Sequence, residues 1–142
     1  MRLIDANILI YAHDESSEFH SRAKNYLKEI YQKDAKVLIP DVSFLAFIRI
    51  TTNHRVMEIP LEPKEAIRCM DVLLSHGKTL VPTRGKNHWQ NFTRLVESSG
   101  ARGPLITDAH IAALALDHDA IVCSHDTDFL KFKEVRFENP FN

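Results

Sequence analysis

Four aspartates fall where apolar runs hand over to new segments. Asp5 follows Arg2-Leu3-Ile4, Asp108 sits early in the small-residue run Leu105–Leu116, and Asp126 and Asp128 follow Ala120–Ser124. Asp41, just after Val37–Pro40, is a fifth acid in the same kind of position. Gathered in one place, these groups repel and are costly to bury ionised unless a divalent cation neutralises them. The ligands are hard oxygens, and no Cys or His pair has zinc spacing, so Mg2+ or Mn2+ is the expected ion. An ion held this way can activate water and stabilise phosphoryl oxygens in an in-line displacement. Phosphodiester hydrolysis is the chemistry that fits.

Each acid also has an ordinary explanation. Asp5 is a good helix N-cap, and Asp108 is a first-turn acid that favours the helix dipole, with Thr107 available as the cap. Helical spacing from Asp108 nevertheless reaches Ile111, Ala112 and Ala115, so the acid begins the stripe that must pack inward. His125 beside Asp126 should point away from it in an extended approach and is assigned no role. No nucleophile elbow or Gly-rich phosphate loop is present among only four glycines, which disfavours acyl transfer and nucleotide cradling.

The elements that must position the acids are short and alternate. Apolar runs at 2–4, 37–39, 79–81 and 120–124 predict strands, with 135–137 as an edge strand. Between them, helical periodicity covers Ile8–Ala12, Phe19–Tyr31, Val42–Thr52, Pro63–Leu74, Trp89–Val96 and Leu105–Leu116. This alternation predicts an α/β fold with a mainly parallel sheet of four to five strands flanked by helices. Right-handed crossovers would line up the strand C-termini along one edge, where Asp5, Asp108, Asp126 and Asp128 could converge with Asp41 nearby.

The Val42–Thr52 helix is apolar nearly all round, which implies burial on more than one side or a partner, and dimerisation is one natural explanation. Arg49 on it could pair with an acid, reach a phosphate or snorkel to the surface. Thr83–Trp89 combines basic groups with an aromatic and is the best local patch for a nucleic-acid backbone. Trp89, Phe92, Leu95 and Val96 form a helical stripe expected in the core, which leaves Arg84, Lys86 and His88 as contact candidates. Arg102, in the loop before Leu105, could sweep over the site or remain solvated.

A chain of 142 residues suits a single domain, 1–142, with a core of its own. Lys and Arg number 18 against 19 Asp and Glu, so any nucleic-acid binding must use a local patch rather than a global field. Cys69 and Cys123 are far apart and expected to be reduced, buried small hydrophobes. The first apolar segment ends at Asp5, too short for a signal peptide or membrane span, so a cytoplasmic protein is expected.

Four pieces in order resemble the PIN-domain ribonucleases, specifically the VapC-type toxins of bacterial toxin-antitoxin pairs. They are Leu3-Ile4-Asp5-Ala6-Asn7, Phe47–Asn53, Thr107-Asp108-Ala109-His110 with its Ala-rich continuation, and His125–Phe129. The resemblance implies a compact α/β/α sandwich, Mg2+- or Mn2+-dependent endonucleolytic cleavage of RNA, homodimerisation and inhibition by a cognate antitoxin. By position it makes Asp5, Asp108 and Asp126 the acidic metal-site core, Asp128 a further ligand directly or through water, and Asn7 and Thr107 polar supports. Many members carry a glutamate in the helix after the second strand. Alignment on Phe47–Asn53 puts Phe44 there, with Asp41 the only nearby acid, so one ion or two stays open. A non-catalytic PIN-like domain that binds RNA or protein is the alternative, and a receiver-like phosphate-transfer domain ranks last for want of a lysine near a late strand end.

Overall fold

The computed structural model describes all of residues 1–142. Five strands, β1 (Arg2–Ile4), β2 (Val37–Leu38), β3 (Thr79–Leu80), β4 (Ile121–Cys123) and β5 (Phe137–Glu138), form one sheet in the order β3-β2-β1-β4-β5. Every neighbouring pair is parallel. The helices are α1 (Ala6–His13), α2 (His20–Lys33), α3 (Asp41–Thr51), α4 (Pro63–Ser75), α5 (His88–Ser99) and α6 (Leu105–Asp117), with a 3-10 turn at Thr127–Lys131. The expected α/β class and parallel sheet are therefore present.

Strand periodicity explains the layers. Leu3, Leu38 and Val122 point to one face, where α5, α6 and the 3-10 turn cover them. Ile4, Val37, Ile39 and Cys123 point to the other, under α1 to α4. Side chains that alternate across a strand thus feed two separate cores, which makes an α/β/α sandwich.

The fifth strand starts two residues later than its periodicity suggests. Val135 is instead tucked into the core, its N–H bonded to the Phe132 carbonyl at 2.9 Å, before the chain joins the edge. Trp89 departs further from expectation: it is 67% exposed. The buried positions of α5 are His88 and Leu95, and one residue's rotation of about 100° carries the indole off that stripe. Cys69 is only half-buried, whereas Cys123 is buried as expected, and both are free.

The chain leaves β1 toward β2 and β3, then returns to the opposite side of β1 for β4. The switch point therefore lies between β1 and β4, and a crevice opens outside their carboxyl ends. Both acid-bearing loops leave the sheet there.

Candidate active site

Asp5 leaves β1 and caps α1, its Oδ1 accepting from the Ala6 N–H at 2.8 Å. The ordinary N-cap role is thus real, and it leaves Oδ2 free for other work. Oδ2 accepts from Ser124 Oγ at 2.7 Å and from Asn7 Nδ2 at 3.1 Å. Ser124, fully buried at the end of β4, also receives Asn7 Nδ2 at 2.9 Å and the Asp126 N–H at 3.0 Å. Asn7 Oδ1 in turn accepts from the His125 N–H at 3.2 Å. One serine and one asparagine therefore tie the two strand-end loops together and fix where Asp5 points. By sequence Ser124 is only the end of an apolar run, and its place two residues before Asp126 is the signal that marks it.

Asp108 reaches the same crevice from α6. That helix begins at Leu105 after Pro104, so Thr107 lies inside its first turn rather than capping it. Six of its residues between Ala109 and Ala115 are buried, mostly alanines whose small side chains let the helix pack closely. Asp108 continues that inward face and stands at its open end.

Asp5, Asp108 and Asp126 line one cleft of about 660 Å3 with Asn7, Thr107 and Arg49. Asp128 does not line it; its carboxylate is 3.0 Å from Lys131 Nζ, and its N–H bonds Asp126 Oδ1 at 2.9 Å. Asp41 is exposed, accepts its own helix's Val42 N–H at 2.8 Å and is also outside the cleft. Phe44 packs against the core beneath α1 to α4, while Ser43, Ala46 and Arg49 form the wall of α3 that faces the acids. Helix geometry thus moves the question from Phe44 to Ala46 and Arg49, and α3 contributes a cation but no carboxylate.

Of the other basic residues, Arg84 lines an adjoining groove, and Lys86 and Arg102 are exposed outside both concavities. His125 turns its ring away from the acids, 4.5 Å from Phe19 and 5.3 Å from Phe141 between ring centres.

The electrostatics are those of an uncompensated acidic cluster. Burial, reinforced by the charges of Asp5, Asp126 and Asp128, pushes the Asp108 carboxyl up to about 6. Burial also raises Asp5, against the hydrogen bonds from Ser124 and Ala6, and the Asp126 charge adds to the rise. Arg49 makes no ion pair with any of them. A divalent cation fits this donor set by charge and by hardness. No three His, Cys, Asp or Glu side chains converge into a ready coordination sphere.

The PIN domain family matches residues 2–135 of the chain. The VapC ribonuclease Mb2897 of Mycobacterium bovis is 33% identical over 142 residues, covering 100% of this chain and 97% of the relative. The chain belongs to the PIN-domain family, among the VapC ribonucleases. Ribonuclease VapC31 of Mycobacterium tuberculosis is 31% identical over 140 residues, covering 99% of each chain. Among solved structures, VapBC2 from Rickettsia felis, bound to a DNA fragment from its promoter, aligns with a TM-score of 0.72 at 15% identity, covering 97% of each chain. The same sandwich thus carries the PIN family's fold at low sequence identity. No helix of the chain is long and apolar enough to cross a membrane.

Proposed function

We propose that this protein is a metal-dependent endoribonuclease of the VapC type, the toxin of a toxin-antitoxin pair, whose single PIN-like domain spans 1–142. The observation that carries the reading is the meeting of Asp5, Asp108 and Asp126 in one cleft at the switch point of a parallel sheet. Membership among the VapC ribonucleases supports RNA as the polymer cut.

Asp5, Asp108 and Asp126 would hold Mg2+ or Mn2+, with Asp128 acting through water or through its charge. The ion, when bound, supplies an acidified water and charge for the phosphoryl oxygens. The chain's own residues do the rest. Asn7 and Ser124 lock the Asp5 rotamer, so its Oδ2 is presented without reorganisation. Arg49, across the cleft on α3, is placed to meet a phosphate oxygen that the acids would otherwise repel. Thr107 lies at the lip.

Two partners follow from the same reading. A second copy of the chain would cover the exposed apolar part of α3 at the rim of the acid cleft, where Leu45 is 66% exposed. A cognate antitoxin protein is supported by the solved relative, VapBC2.

The test is RNA hydrolysis by purified protein with Mg2+ or Mn2+. Asp5→Asn and Asp108→Asn should each abolish cleavage and growth inhibition while circular dichroism and melting still report a folded protein. Undiminished cleavage by either variant overturns the assignment. Wild-type protein that binds RNA yet never cuts it with either ion would favour the non-catalytic PIN-like alternative.

A further inference from the structure

A second concavity adjoins the acid cleft and has no part in the chemistry described above. It runs between α5 and the start of α6, and Trp89, Arg84 and His110 line it. Val42 and Thr107 line both this groove and the acid cleft, so a chain leaving the acids on that side enters the groove directly. Trp89 is the protein's sole tryptophan and stands 67% exposed, an unusual state for the largest apolar side chain.

The groove is built rather than accidental. Asp117, at the end of α6, accepts from the Gly85 N–H at 3.1 Å and from Asn91 Nδ2 at 3.0 Å, and its Oδ2 lies 2.5 Å from His88 Nδ1. A Cβ at Gly85 would meet the Asp117 side chain at 3.2 Å, so glycine lets the loop approach closely enough to be pinned. His118 Nε2, 2.8 Å from the Thr83 carbonyl, pins the other side of Arg84. His88 Nε2 is 3.1 Å from His110 Nδ1, which leaves His110 Nε2 as the ring atom available to a ligand. Arg84 itself is exposed and makes no ion pair.

We infer that this groove is a nucleotide subsite for single-stranded RNA, in which a base flanking the cut phosphodiester stacks on Trp89, its edge meets His110 and its phosphate meets Arg84. The inference rests on the ribonuclease reading above for the identity of the polymer. An aromatic platform accepts any base through its π-face, and a neighbouring cation tracks the backbone. A near-neutral chain has no long-range field to hold RNA and needs such local contacts. An exposed indole beside an unpaired arginine suits a base and its phosphate better than a protein face, and Arg49 and Arg84, one on each flank, offset the repulsion that the acids exert on a phosphate chain.

Because Trp89 is the sole tryptophan, its emission reports on the groove directly. Titrating wild-type protein in EDTA with a single-stranded oligoribonucleotide should quench that emission saturably. Arg84→Ala should weaken the titration, and Arg84→Lys should restore part of it. In cleavage assays Trp89→Ala should raise KM for RNA by about tenfold or more, and Trp89→Phe by much less, in line with the usual loss of a base–aromatic stack. Hydrolysis of bis(p-nitrophenyl) phosphate, too small to span cleft and groove, should be unchanged in Trp89→Ala.

No quench, or an unchanged KM in Trp89→Ala, overturns the subsite. So does an equal loss on the small diester, which would make the indole a prop for the acid cleft. A Trp89→Ala protein that falls from dimer to monomer in sedimentation with RNA cleavage intact would assign the groove to a second copy. If wild-type protein cuts neither substrate, the ribonuclease reading fails, and the fluorescence titration still decides the groove by itself.

Discussion

Helix α6 carries two aspartates in opposite circumstances. Asp108, near its N-terminus, has only burial and three other carboxylates acting on it, and its carboxyl is pushed up to about 6. Asp117, the last residue of the same helix, has a side chain just 1% exposed, yet its carboxyl is held below the ordinary range. Burial pushes Asp117 up too, but the Gly85 N–H, His88 and Asn91 outweigh it. The helix dipole alone would favour the reverse, since acids are stabilised at a helix N-terminus and penalised at its C-terminus. Tertiary donors decide the outcome. A carboxylate given three donors is held ionised by the fold, and one left among like charges is pushed toward its protonated form.

The sharpest way to break that contrast is to remove the structural member. Asp117→Ala leaves the Gly85 N–H, His88 Nδ1 and Asn91 Nδ2 without their acceptor, and at about 1–3 kcal/mol for each stranded donor the loss is roughly 3–5 kcal/mol in all. For a chain of this length that corresponds to a fall in Tm of roughly 10 °C or more. The loss should be largest near neutral pH. A depressed carboxyl contributes its stability above the unfolded pKa and loses it as pH falls through the folded one. Hydrolysis of a small phosphodiester, per folded molecule, should be retained. A melt unchanged within a degree would mean that the network around Asp117 holds nothing together.

Ser124→Ala tests the organisation of the acid cleft itself. The hydroxyl is the joint between Asp5, Asn7 and Asp126, and its loss leaves Asp5 Oδ2 with only the longer bond from Asn7 Nδ2. Removal of a group that orients a metal ligand typically costs about 10–100-fold in metal affinity or activity. Titrating Mn2+ or Mg2+ into the cleavage reaction should therefore show a raised ion requirement. If the ion requirement stays that of the wild type, the bonds from the Ala6 N–H and Asn7 Nδ2 suffice to position Asp5.

The acids themselves were legible in the sequence because strand ends are local. An apolar run stopped by an aspartate can be read without knowing the fold, and parallel topology then brings the ends to one edge. The inward stripe Asp108, Ile111, Ala112, Ala115 was legible for the same reason, since helical spacing needs no partner. What the sequence hid depends on which neighbour arrives. Ser124 became a hub only when β4 paired with β1, and Asp117 met His88 and Gly85 across two helices and a loop. Trp89 failed differently: its spacing to Phe92 and Val96 is that of a core stripe, but the buried face of α5 is set by His88 and Leu95, one step around the helix. For Phe44 the motif alignment fixes only sequence distance; the structure adds that Phe44 packs into the core while Ser43, Ala46 and Arg49 face the cleft.

The smallest expected effect probes the other member of the contrast in stability rather than in catalysis. A carboxyl raised in the folded state binds its proton more tightly there than in the unfolded chain. In metal-free protein Asp108 therefore contributes stability near pH 4 that is lost as pH rises through about 6. Asp108→Asn removes that penalty, so in EDTA at pH 7.5 the inactive variant should melt higher than wild type, while near pH 4 the two should coincide. Because the group is partly solvated, the gain is taken as about 1 kcal/mol, or roughly 3 °C. Adding Mg2+ or Mn2+ should reverse the order, since an ion that binds the folded state stabilises it by mass action and the wild type offers the stronger site. A variant that melts lower than wild type at pH 7.5 without metal would place Asp108 beside Asp117 as a structural acid, and the distinction between the two ends of α6 would fall.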